Sequence, residues 1–135
     1  MKTNPVVHFE IPAENTKRVM EFYSKVFGWK CEQMGKEYGE YIIAMTSDSD
    51  KNGPKEKGRI NGGIFQRSGQ SPITGPSFVI TVDDINEHVK KVKEGGGKIL
   101  TKPMEIPNVG ILAVFEDTEG NRLSIMQPKM NMKKK

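Results

Sequence analysis

Cysteine is nearly missing from this sequence: Cys31 is the only one in 135 residues. A single cysteine excludes an internal disulfide framework and a thiolate-built zinc site. Long hydrophobic runs are also missing, and nothing approaches the ~20 apolar residues that span a bilayer. The opening MKTNPVV has neither the apolar core of a secretory signal nor an Arg-rich amphipathic transit pattern. These absences predict a cytoplasmic protein. Histidine is scarce, with only His8 and His88. No phosphate-binding loop, dinucleotide fingerprint or Ser/His/Asp order is present.

An excess of one charge is lacking too, once the formal +4 is located. Lys129, Lys133, Lys134 and Lys135 account for it, leaving 17 basic residues against 17 acidic ones elsewhere. The basic character belongs to a predicted flexible tail, 129–135, rather than to a binding face. Neither nucleic acid nor a membrane surface is an expected partner.

What is present is one pattern written twice. PVVHFEI at 5–11 reads as a strand with Val7, Phe9 and Ile11 on one face and Val6, His8 and Glu10 on the other. Glu14–Trp29 follows as an amphipathic helix. Val19, Phe22, Tyr23, Val26 and Phe27 form its stripe, Asn15 is its N-cap and Gly28 its left-handed end. About 70 residues on, SFVITV at 77–82 is a second such strand. Asp83–Gly95 is a second helix with Ile85, His88, Val89 and Val92 on one face.

Each helix is followed by strand signals. In the first half these are Trp29–Met34, Tyr41–Thr46 and Ile60–Arg67, with an exposed polar loop over 47–59 and a linker at Ser68–Pro76. In the second half they are Lys98–Thr101 and a hairpin of Val109–Glu116 with Asn121–Gln127, turned by Asp117–Gly120. The Gly62–Gly63 pair points to a bend or to close approach of a backbone or ligand. The reading is an α+β fold in one domain, 1–128, made of two βαβββ modules at about 5–67 and 77–128. Their curved mixed sheets surround a cup and carry their helices outside. Overlaying the halves sets His8 against Val79, Ile11 against Val82 and Phe22 against Val92.

These residues resemble the vicinal oxygen chelate superfamily of glyoxalases, bleomycin-resistance proteins and extradiol dioxygenases. The resemblance is carried by VVHFEIP, FYSKVFGW, VDDINE, the glycines at 95–97 and EDTEGNRLSIMQP, and runs from about residue 5 to 128. It is most similar to the small glyoxalase-related branch. Family chemistry, as the resemblance implies it, uses a divalent metal held by one ligand from the first and one from the last strand of each unit. Carried over, the first-strand ligand falls on His8 and its counterpart on Val79, which cannot ligate. The last-strand carboxylate falls on Ser124, and the fourth position lies near Asn61-Gly62-Gly63.

His8 is thus the only one of four positions to keep a ligand. The resemblance implies a protein that binds a small organic molecule in the cup without a complete metal centre. Two alternatives stand beside it: a divalent-metal-dependent lyase, isomerase or dioxygenase, and a non-enzymatic interaction module. No cofactor is expected, and a homodimer is.

The residues with chemistry to offer are few. His8 and Glu10, two apart on one face, are the catalytic candidates, with the carboxylate raising the imidazole's pKa toward neutrality. Tyr41, with Ile43 and Met45, and Arg122, Ser124 and Met126 share faces expected to line or rim the ligand. An arginine there suits a carboxylate. His88 reads as a packing residue with one satisfied nitrogen, Trp29 as packing, and Cys31 as a strand side chain rather than a nucleophile.

Overall fold

Both helices begin and end where their capping residues place them. In a computed structural model that describes residues 2–129, the Asn15 side chain accepts from the Arg18 N–H at 2.8 Å and opens α1 (Thr16–Phe27). Gly28, at φ 71°, closes it by donating to Ser24 O. Asp84 caps α2 (Ile85–Glu94) by accepting from the Glu87 N–H, and Gln127 Oε1 accepts from Ile85 N–H. The expected basic tail lies, apart from Lys129, outside the described residues; Lys129 itself donates its backbone N–H to Val109 O.

The chain divides into two units. One is Val7–Pro76; the other joins the residues up to Val6 with those from Ser77 onward. The first runs β1 (Val6–Ala13), α1, β2 (Lys30–Gln33), β3 (Ile42–Met45), β4 (Ser49–Asp50), β5 (Gly53–Pro54) and β6 (Asn61–Gln66). Its sheet has the order β2-β3-β6-β1, with β1 parallel to β6 and β3 antiparallel to β2 and β6. The polar loop expected over 47–59 holds a two-residue hairpin of β4 and β5.

The second unit runs β7 (Ser77–Thr81), α2, β8 (Lys98–Ile99), β9 (Met104–Ile106), β10 (Gly110–Glu116) and β11 (Arg122–Pro128). Its order is β7-β11-β10-β8, with β9 also on β10 and β7 parallel to β11. The fold is α+β, and each unit is βαβββ with the first strand beside the last. The segment between Pro103 and Pro107 forms β9, because its backbone pairs with Gly110–Leu112.

Each unit has its own core on the helix side of its sheet. In the first, Ala13, Ile42 and Ile64 are buried with Ile11, Val19, Met20 and Cys31 around them. In the second, Val82, Ile85, Ala113 and Ile125 are buried beneath Ile80, Val89, Ile111 and Phe115. Trp29 is a packing residue: it stacks on Tyr23 with centroids 4.5 Å apart and leans on Phe9. His88 Nε2 lies 3.3 Å from Asn4 Oδ1, while its buried Nδ1 has no hydrogen-bond partner.

The stripe of α1 is wider than the core beneath it. Val19 and Met20 reach the buried cluster, whereas Phe22, Val26 and Phe27 remain 52%, 53% and 61% exposed. At 100° per residue, Phe22 and Val26 fall on the far side of the helix from Met20. An apolar stripe marks an amphipathic helix without saying how much of the stripe its own sheet covers.

Candidate functional site

Alternation along β1 turns Phe9 and Ile11 toward α1 and leaves His8 and Glu10 on the opposite face of the sheet. Strand register sets what they meet. His8 lies opposite Asn61 and Glu10 opposite Gly63 on β6, and Ile43 of β3 lies opposite Gly63 from the other side. Tyr41, just ahead of β3, shares the face of Ile43. Its hydroxyl reaches across Gly63 and lands between the two β1 side chains.

The contacts form one chain. Tyr41 Oη donates to Glu10 Oε2 at 2.7 Å and lies 2.9 Å from His8 Nε2. A phenol has one proton, and here it is given to Glu10, so Nε2–H of His8 is the donor to Tyr41 oxygen. That assigns the neutral imidazole its Nε2–H tautomer and leaves Nδ1 as the acceptor nitrogen. Asn61, the nearest polar side chain of β6 on this face, is committed elsewhere. It accepts from Thr46 N–H at 2.9 Å and donates to Ser49 Oγ at 2.8 Å.

Burial governs the ionisation of all three groups. It lowers the pKa of His8 from 6.5, because the cation is harder to hold in a partly dry site. It raises Glu10 from 4.5, opposed by the hydrogen bond from Tyr41. Burial, and then the nearby Glu10 carboxyl, raise Tyr41, which keeps its proton throughout the accessible range. The expected direct pairing of His8 with Glu10 is therefore corrected in two respects. A tyrosine stands between them, and desolvation moves His8 down where a bare carboxylate contact would have moved it up.

A pH dependence follows from the Glu10 shift. A carboxyl whose folded value lies above its unfolded one supports folding below 4.5, and that support is lost as pH rises through the folded value. Glu10→Gln removes this loss. The variant's stability relative to wild type is expected to climb as pH rises from 4.5 through the raised folded value, read from urea midpoints. A difference that stays flat across that range counts against the buried carboxyl. The His8 contribution has the opposite sign, present above 6.5 and lost as pH falls toward its lowered folded value.

In the second unit, Arg122, Ser124 and Met126 share one face of β11, as alternation requires. Ser124 is 2% exposed, between its register partners Val79 and Val114. Arg122 Nε lies 3.2 Å from Glu116 Oε1, and Met126 is half-buried opposite Leu112 and Thr81. His8, Glu10 and Tyr41 thus form one bonded group on the first unit, and the β11 residues a row on the second.

The model of the Glyoxalase/Bleomycin resistance protein/Dioxygenase superfamily matches residues 6–125. The chain belongs to that superfamily. A glyoxylase-like domain-containing protein of Didymella fabae is 33% identical to this glyoxalase-superfamily chain over 119 residues, covering 86% of it and 88% of the relative. Among solved structures, a hypothetical protein from Bacillus halodurans C-125 shares the fold at a TM-score of 0.68, with 21% identity and 99% of each chain covered. Methylmalonyl-CoA epimerase from Mycobacterium tuberculosis shares it at 0.65, with 12% identity over 91% of this chain and 87% of that one.

Of the four positions at which the resemblance implies metal ligands, this superfamily member keeps a ligating side chain only at His8. Among the described residues, no three His, Cys, Asp or Glu side chains converge to hold an ion. His8 Nε2 faces a phenol, Gly63 has no side chain, and Val79 and Ser124 supply neither imidazole nor carboxylate. A mononuclear site with an open position needs about three protein ligands.

Proposed function

We propose that this glyoxalase-superfamily chain binds a small organic molecule on the His8 face of its Val7–Pro76 unit, without a complete divalent-metal centre. The observation that carries the reading is the bonded, partly buried chain of His8, Tyr41 and Glu10. A few fixed polar groups among apolar neighbours, here Ile43 and Met45, are how small-molecule sites obtain orientation. With Nε2 engaged, the ring nitrogen left to a ligand is Nδ1, an acceptor. The ligand class this favours offers an N–H or O–H at that point. A homodimer and a cytoplasmic location complete the proposal. The exposed Phe22, Val26 and Phe27 support the first, and the single, unpaired Cys31 agrees with a reducing compartment.

The test is a nuclear magnetic resonance screen of hydroxy acids, amides and thioester fragments against wild type and His8→Ala. Binders are expected to shift the amides of β1, β3 and β6, and to lose about tenfold or more in affinity in the variant while folding is retained. If no fragment moves those amides, or affinity is unchanged in His8→Ala, the proposal fails. A stoichiometric divalent metal held through dialysis would instead establish the metal-dependent alternative.

A further inference from the structure

We infer that Gly63 is a positioning residue: its bare Cα seats the Tyr41 hydroxyl between His8 and Glu10. A group from just ahead of β3 thereby fills the place a β6 side chain would take. The inference concerns the polar group itself and holds whether or not this face takes a ligand.

Three observations converge on it. A methyl group built at Gly63 would overlap the Tyr41 hydroxyl and the ring carbon that bears it. Gly63 is not among the residues at positive φ, so glycine is not needed there to allow the backbone conformation. What it supplies is space. Register puts that space where it is used, since Gly63 lies opposite Glu10 on one side and Ile43 on the other. Gly62 does the same on the reverse face, where an added methyl would overlap the Phe9 ring. Two consecutive glycines therefore admit two aromatic rings, one to each side of the sheet.

The consequence for His8 is specific. No other side chain of β6 is free to meet Nε2 on this face, because Asn61 is held by Thr46 and Ser49. A side chain at 63 displaces the phenol and strips both His8 and Glu10 of their partner. Backbone pairing between β1, β6 and β3 needs no change for this to happen. Gly63 acts on His8 only through Tyr41.

The experiment is a double-mutant cycle of Gly63→Ala and Tyr41→Ala, read by urea unfolding and by the imidazole nitrogen shifts of His8. Gly63→Ala alone is expected to destabilise strongly and to move the His8 ring out of the Nε2–H tautomer, and Tyr41→Phe is expected to move it in the same way. In the Tyr41→Ala background the same substitution meets no ring. Its effect on the unfolding equilibrium constant should shrink by about tenfold or more. If Gly63→Ala alone does not fold, recovery of a folded double variant carries the same meaning. Equal penalties in both backgrounds, a double variant that stays unfolded, or a His8 spectrum unchanged in Gly63→Ala would each overturn the inference.

Discussion

Ile64→Ala is expected to lower the unfolding free energy by about 2–5 kcal/mol, the range for deleting three carbons from a closed core. Ile64 is fully buried in the middle of β6, opposite Ile11 on β1 and Ile42 on β3, with Ala13 completing the cluster. Strands on both sides hold the backbone in register, so the cavity has little freedom to collapse. Single domains are stable by only about 5–15 kcal/mol, so the loss is a large share of the total. Urea unfolding should show a lower midpoint with an unchanged slope, and Ile64→Val should cost about 0.5–1.5 kcal/mol. A loss under about 1 kcal/mol for the alanine would mean that the first unit is not held together at this point.

Local geometry makes much of this legible in the sequence. The split of β1 into a helix-facing set and a His8/Glu10 set needs only the two-residue period of a strand. The caps Asn15 and Gly28 need only their side-chain chemistry and its absence. The repeat of strand, helix and three strands was visible because both helices carry the same spacing of apolar residues. What could not be read depends on contacts distant in the chain. Tyr41 meets His8 across 33 positions, through a register that no single segment encodes.

Gly62–Gly63 signalled a close approach but not what approaches: two rings, on opposite faces. The direction of the His8 shift lies beyond the local sequence for the same reason. A carboxylate two residues away suggests a raised pKa, whereas burial, which only the assembled sheet creates, lowers it. The overreach of the α1 stripe is a third case. Periodicity reports which residues are apolar, and five apolar positions were more than one narrow sheet could cover.

Tyr41→Phe tests the electrostatics of the site with the ring left in place. Loss of the hydroxyl leaves a partly buried Glu10 without its donor, which costs about 1–3 kcal/mol when the carboxylate is charged. The hydrogen bond from Tyr41 lowers the Glu10 pKa against desolvation, so removing it lets that value rise further. The sign follows from linkage: wild type and variant differ least at pH well below 4.5, where Glu10 is protonated in both. The penalty then grows as pH rises through the wild-type value and levels off above the variant's. In Glu10→Gln, which has no charge to solvate, Tyr41→Phe should cost much less and lack the rise through the Glu10 range, because an amide oxygen loses only a neutral hydrogen bond. A penalty in wild type that does not grow with pH would detach Tyr41 from Glu10. With it would go the single proton chain that orders His8.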